Sequence, residues 1–477
     1  MRTGGKILLM MLILVLGISP AVSVSASEVA QEELTPEEQA EIAEQQRVYA
    51  LPVQTNELPG WPQGPGTYGE AAIVMEAETG AILYAKNIDD HHYPASITKV
   101  LTALVALENG QFSDPVVFSH DCVAFMKPGD SSVGLKEGNM ITLEQALYAT
   151  LLASANEAAY AVGENVGKNA GHDYSWFIEQ MNAKCKSLGG ENSNFVNTNG
   201  LHDPQHYTCA RDMALIGSEI FTKHPEFFTI VQTQEYKIEA SPTTEEHIFQ
   251  QKHKMLKPNN ENYYPYAVGG KTGFTSDALS TLITMADNGQ MKLVCVVLRT
   301  HGKNVYPDTR NLFEYAFQNF IKIDVASQEM PEEIESILPE GNSGYVVIPS
   351  GLDFTQLSME IVPDEGISDE GTLVYSYEGQ TVGQARARLS TSYLEAHSAK
   401  VEKAEESKEE SEKDSEEKNE IDQSKTKRSK TEIIILFAAV VLFVVLVIIL
   451  IILIIRRHLQ QKRRRQRREK RQKTLDE

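Results

Sequence analysis

Pro94-Ala95-Ser96-Ile97-Thr98-Lys99, continued by an apolar run to Gly110, is the stretch on which the reading of this chain turns. Ile97, Val100, Leu101, Leu104 and Val105 recur at helical spacing, which predicts a helix with one stripe facing a core. Gly110 stands where a helix carboxyl-terminal glycine belongs. Ser96 falls at the helix start and Lys99 one turn further on, so hydroxyl and amine share a face. The helix start also favours the negative charge that develops on an attacking oxygen. This is the minimal arrangement of a serine nucleophile with a lysine base. A capping serine followed by a solvated lysine fits the same residues, so the choice depends on partners elsewhere in the chain.

Upstream, Ala71-Ala72-Ile73-Val74-Met75 and Ala81-Ile82-Leu83-Tyr84 read as two strands joined at Ala77-Glu78-Thr79-Gly80. Downstream, Thr142-Leu143-Glu144-Gln145 is a capping box opening an apolar helix. Ser154-Ala155-Asn156 follows at a junction before a second helical run, Ala158 to Val166. A polar helix-breaking turn explains that triplet equally well. A loop rich in Gly, Asn and Pro, Leu188 to Arg211, contains His202 and His206. Pro204 between them argues against a helical zinc pair, and no metal is expected. Val268-Gly269-Gly270-Lys271-Thr272-Gly273-Phe274 precedes strands Leu279–Met285 and Lys292–Leu298, with Asp287-Asn288-Gly289 as their hairpin turn. Glycines beside Lys271 would keep a strand edge open to a substrate backbone, although an ordinary turn has the same composition. A helix from Asp308 to Phe320 closes this part.

In the order S-x-x-K, S-x-N, K-T-G, three motifs that are each weak alone become specific together. The chain resembles the low-molecular-mass penicillin-binding proteins, specifically the serine-type D-alanyl-D-alanine carboxypeptidases of the peptidase S11 family, from about Ala71 to Phe320 and in the β-rich part after it. Phe195-Val196-Asn197 through Asp203-Pro204, and His206-Tyr207 through Arg211-Asp212-Met213-Ala214, also resemble family segments. The resemblance implies an α/β (α+β) fold of the serine β-lactamase and transpeptidase type, with a central antiparallel sheet and a helical subdomain. It implies Ser96 as nucleophile, Lys99 as general base and Ser154 as proton relay. Asn156 would hold the substrate amide, Lys271 and Thr272 of Lys271-Thr272-Gly273 the terminal carboxylate. Backbone N–H groups of Ser96 and Phe274 would form the oxyanion hole. The implied ligands are peptidoglycan stem peptides ending in D-Ala-D-Ala and β-lactam antibiotics, with no cofactor. A neutral Lys99 at pH 7 requires burial and a second cation nearby, the latter being Lys271. Three positions depart from the family: Ala155 and Leu279 replace usual glycines, and Val268 stands where an acidic residue is common. A β-lactamase would need a glutamate in an E-x-x-L-N segment between S-x-N and K-T-G, which the sequence lacks. A transpeptidase or endopeptidase would use the same residues, and a non-catalytic wall-binding module would leave the nucleophile unused.

The ends of the chain carry the address. Arg2 and Lys6, an apolar run Ile7–Ile18 and Val24-Ser25-Ala26 make 1–26 a signal peptide. Residues 27–66 are an acidic, then Pro-rich extension, with a capping box and helix start at Thr35-Pro36-Glu37-Glu38 and a linker through Pro52–Gly66. The catalytic domain is expected over 67–320 and a small β-sandwich-like domain over 321–395. A charged low-complexity linker, 396–431, precedes a transmembrane helix at 432–455. The span holds the unbroken apolar run Ile433–Ile455, about 35 Å long as a helix. Eleven Lys and Arg residues in the tail 456–477 place it in the cytoplasm, so the anchor is carboxyl-terminal and catalysis lies outside the cell membrane. Residues 27–430 carry about −31 of formal charge once the signal (+2), Glu432 (−1) and the tail (+8) are set aside from the total of −22. Such a surface excludes nucleic acid as a partner. Four cysteines in a chain of this size are no disulfide scaffold.

Overall fold

The computed structural model describes residues 34–338, 344–364 and 369–397. The signal peptide, the 432–455 anchor and the basic tail lie outside the described residues. Among those described, no helix is long and apolar enough to cross a membrane. They fall into two compact units, one of 34–327, 344–361 and 373–385, the other of 328–338, 362–364, 369–372 and 386–397.

The first unit begins with helix α1 (Pro36–Tyr49), opened by the Thr35 capping box: Glu38 N–H donates to Thr35 Oγ1 at 3.2 Å and Thr35 N–H to Glu38 Oε2 at 2.8 Å. Strands β1 (Ala71–Glu76) and β2 (Ile82–Lys86) follow, then α2 (Thr98–Asn109). Short strands β3 (Pro115–Val117) and β4 (Met140–Thr142) pair around α3 (His120–Ala124). Helices α4 (Leu143–Leu151), α5 (Asn156–Asn169), α6 (Tyr174–Ser187), α7 (Ala210–Lys223) and α8 (Pro225–Val231) complete the helical part. A small hairpin, β5 (Glu235–Ile238) and β6 (His247–Gln250), leads into β7 (Ala267–Thr275), β8 (Leu279–Asp287), β9 (Lys292–Thr300) and α9 (Val305–Asn319).

The central sheet runs β2-β1-β9-β8-β7, and every neighbouring pair in it is antiparallel. Its order places β7, which carries Lys271-Thr272-Gly273, at an edge whose outer side has no strand partner among the described residues. β1, with all six residues buried, reads as apolar because both faces are covered. Helix α2 departs from the single-stripe reading, since every residue from Thr98 to Ala106 is buried. Helices α4, α5, α6 and α7 surround it, so Thr98, Lys99 and Thr102 are buried with the apolar residues. A helix covered all round cannot move without breaking the core, which makes it a rigid mount for Lys99.

The Pro-rich stretch read as a linker lies against β2. Trp61 is buried and its indole N–H donates to Leu83 O at 3.1 Å, while Tyr84 O–H donates to Pro65 O at 2.8 Å. Strands β10 (Phe320–Asp324), β11 (Ile334–Ile337), β12 (Tyr345–Pro349), β13 (Ser358–Pro363), β14 (Glu370–Tyr377) and β15 (Gln380–Leu389) form one six-stranded sheet, ordered β10-β12-β15-β14-β13 with β11 on β15. Burial in β14 alternates residue by residue, as a sheet with one covered face requires. Trp61 packs there, its ring 5.3 Å from that of Phe320 and 6.2 Å from that of Tyr377. In the second unit Arg386 grips Asp364 by two hydrogen bonds of 2.7 Å, and Ile334 pairs Leu389.

Candidate active site

Ser96 sits in a single 3-10 turn, Ala95–Ile97, that feeds α2. Ala95 there has φ +50°, and the chain passes so close at Gly200 (φ +80°) that a Cβ would lie 1.8 Å from Ala95 O. Only glycine fits that crossing. The turn is held from below: Thr98 O–H donates to Ala95 O at 2.9 Å, and His206 Nε2 lies 2.9 Å from Thr98 Oγ1. Val196 N–H donates to His206 Nδ1 at 3.0 Å, which leaves the His206 proton on Nε2, facing Thr98. Burial drives the His206 pKa down to about 3, so the ring is a neutral strut. His202 instead lies 3.7 Å from Asp277. Gly273 of β7 meets the same turn, since a Cβ on it would stand 3.0 Å from both Pro94 O and Ser96 N.

Lys99 is fully buried beneath Ser96. Its Nζ lies 3.0 Å from Ser96 Oγ, 2.8 Å from Asn156 Oδ1 and 2.6 Å from Asn199 O. A neutral amine has two N–H donors and one lone pair. Asn156 Oδ1 and Asn199 O can only accept, so they take the two N–H groups, and the lone pair is left for the Ser96 O–H. Burial, and next the charge of Lys271, hold the Lys99 pKa well below the ordinary lysine value. Ser154 has φ +61°, a strained conformation for a residue with a side chain. Its Oγ accepts from Lys271 Nζ at 3.0 Å, and Lys271 also donates to Thr272 O at 2.8 Å. Lys271 is itself 2% exposed, and burial, then the charge of Lys252, lowers its pKa to about 7.

A cavity of about 1190 Å³ opens over this constellation, lined by Ser96, Ser154, Asn156, Thr272, Gly273 and Phe274 among others. Lys99 and Lys271 lie under its floor, each bonded to a hydroxyl that lines it. All eight residues singled out in the sequence are thus brought together from three separate segments. Three contributors carry no local signal: the Asn199 carbonyl, Lys252 and Tyr306, supplied by loops and by α9. Of the departures noted in the sequence, Ala155 is buried at an ordinary φ of −61° and needs no glycine. Leu279 adopts φ +56°, the left-handed region glycine favours, at a cost of about 1–2 kcal/mol. All four cysteines are free and buried.

A rigid α+β unit that buries a lysine against a cavity-lining serine defines a serine acyl-transfer enzyme. The family follows from comparison: the model for D-alanyl-D-alanine carboxypeptidases of peptidase S11 matches residues 62–302, and the chain belongs to that family of serine-type, penicillin-binding cell-wall hydrolases. It is 27% identical over 343 residues to D-alanyl-D-alanine carboxypeptidase DacF of Bacillus subtilis, covering 66% of this chain and 83% of the relative. It is 30% identical over 307 residues to DacC of Escherichia coli, covering 61% and 73%. Penicillin binding protein 5 from Haemophilus influenzae shares the fold, with a TM-score of 0.54, 24% identity, and coverage of 69% and 98%.

Proposed function

We propose that this chain is a membrane-anchored carboxypeptidase that removes the terminal D-alanine from peptidoglycan stem peptides through an acyl-enzyme on Ser96. The observation that carries the reading is the Lys99 amine, fully buried, with its lone pair free for Ser96. Lys99 takes the Ser96 proton as Oγ attacks the penultimate carbonyl carbon. The oxyanion forms against the N–H groups of Ser96 and Phe274, at the close approach of β7 to the nucleophile turn. Ser154 passes its proton to the leaving amine and takes up the one held on Lys99, so the C–N bond breaks, D-alanine departs and Lys99 is neutral again. Water then attacks the ester carbonyl, giving a proton to Lys99, and the acyl group leaves as the shortened peptide while Ser96 regains its proton. Lys271 and Thr272 receive the terminal carboxylate. Binding that anion would draw Lys271, whose pKa is held near 7 in the free site, into its charged form. The apolar run 433–455 would anchor the domains outside the membrane.

Full-length protein in detergent should take up one penicillin per chain, at Ser96, and release D-alanine from a peptide ending in D-Ala-D-Ala. Ser96→Ala should abolish both, and Lys99→Ala should slow acylation by orders of magnitude. Folded protein that neither labels nor releases D-alanine would sink the enzymatic reading. Measuring cross-linked product beside free D-alanine separates a transpeptidase or endopeptidase from a carboxypeptidase, and rapid penicillin turnover would mark a β-lactamase.

A further inference from the structure

We infer that the amino-terminal helix α1 braces the substrate-binding wall of the cavity, and that Arg299 is the positioning residue through which it acts. The inference rests on the proposed reading that stem peptides bind in the cavity over Ser96. Helix α1 lies outside the family match at 62–302, and nothing in the chemistry above uses it.

Two chains of contact lead from α1 to that wall. In the first, Arg47 lies 3.2 Å from Glu70 Oε1, and Arg299 Nε lies 2.7 Å from Glu70 Oε2. Arg299 Nη1 in turn donates to Asp277 O at 3.0 Å. Asp277 belongs to the turn that follows Lys271-Thr272-Gly273-Phe274, and it lines the cavity. In the second, Asn304 Nδ2 donates to Gln45 Oε1 at 3.3 Å, and His301 lies 3.7 Å from Glu41. These two residues flank and border Gly302, Val305 and Tyr306, which also line the cavity.

The helix is itself tied down. Lys86, fully buried in β2, donates from Nζ to Val48 O at 2.8 Å, Thr67 O at 2.7 Å and Gly69 O at 2.9 Å. Tyr49 packs on Tyr68 with ring centroids 4.9 Å apart. The last turn of α1 is thereby fixed to the sheet, while the side chains of Glu41, Gln45 and Arg47 reach His301, Asn304 and Glu70 behind the wall.

Arg299 needs such support. Its φ is +54°, a left-handed conformation at the end of β9 that an arginine does not favour. The strained residue persists because its guanidinium is held by Glu70 on one side and by the Asp277 carbonyl on the other. Releasing either end lets the β9 terminus relax and moves the 275–278 turn, beside which a peptide docked along the β7 edge must pass. None of these groups reaches Ser96, Lys99 or Ser154, so the brace sets how well the peptide is held and leaves the bond-breaking step alone.

The test compares Arg299→Ala, Arg47→Ala and the two combined, in the full-length protein, with Arg299→Lys as the conservative variant. Each variant is read for kcat and KM on a D-Ala-D-Ala peptide, for Ser96 labelling by penicillin, and for melting temperature. The expected result is a KM raised about three- to tenfold by Arg299→Ala, kcat within about twofold, and unchanged labelling stoichiometry. Arg47→Ala should raise KM in the same direction, and the combination should be no worse than Arg299→Ala alone, because both act through Glu70. Arg299→Lys should fall between Ala and wild type. Unchanged KM in folded Arg299→Ala, a KM effect absent from Arg47→Ala, multiplying effects of the two, or a fall in kcat or melting temperature without a KM change would each overturn the brace. Loss of penicillin labelling in the wild type would overturn the active-site reading instead.

Discussion

Lys271→Met should make the protein more stable and less active at once. Lys271 is buried, and its pKa is lowered from 10.5 to about 7, first by burial. Every tenfold loss of proton affinity corresponds to about 1.4 kcal/mol, so carrying a protonated lysine into this site costs about 4–5 kcal/mol at and below pH 7. The unfolded chain binds the proton up to about pH 10.4 and the folded chain only up to about 7, so wild-type stability rises with pH across that window. Methionine fills similar space without the charge, but it forfeits the hydrogen bonds to Ser154 Oγ and Thr272 O. At about 1 kcal/mol each, these leave a net gain of about 2–3 kcal/mol at pH 7. Denaturant unfolding at pH 6, 7, 8.5 and 10 checks the sign. The variant should be the more stable at pH 6 and 7, the difference should shrink at pH 8.5, and it should vanish or reverse by pH 10. Penicillin acylation and peptide turnover should fall together by about ten- to over a hundredfold, because both ligands present a carboxylate. A variant less stable than wild type at pH 7, with a difference that does not change with pH, would refute the account of Lys271 as a buried, destabilising cation retained for binding.

Gly200→Ala should be far more damaging than its place in a loop suggests, because the residue is buried and the added Cβ would meet Ala95 O at 1.8 Å. The nucleophile turn or the loop must shift, and penicillin labelling of Ser96 in whatever folded protein remains is the measurement, with loss expected. For the topology, protease added to intact protoplasts should remove the catalytic domain and spare the basic tail, and a protected catalytic domain would overturn the orientation.

Much of the site is legible in the chain because its signals are local. Ser96 and Lys99 are one helical turn apart, the Thr35 and Thr142 capping boxes close within four residues, and Asp287-Asn288-Gly289 needs no partner to make its turn. Residue type and spacing suffice wherever the interacting groups lie within a turn or a pleat of each other. The order of the three motifs, with the family resemblance, then predicted an assembly that a single motif could not.

What brings Ser154 to Lys271, 117 residues apart, is the packing of the α4–α5 junction against an edge strand. The same holds for the Asn199 carbonyl that accepts a hydrogen bond from Lys99, and for Lys252, whose charge acts on Lys271. No spacing encodes these, because each depends on which distant backbone a side chain meets after the core has closed. Burial is the clearest case. The sequence of α2 shows an apolar stripe, but only the four helices around it bury Lys99 completely and so lower its pKa. The Pro-rich stretch around Trp61 reads as a linker for a related reason. Its few apolar residues have no period, and their place on β2 and on the six-stranded sheet is decided by what those surfaces leave uncovered. The amino acids of this chain carry the local turns and the reactive groups; the lowered pKa of Lys99, the seat of Trp61 and the reach of the first helix come from long-range packing, where dielectric and contact are set.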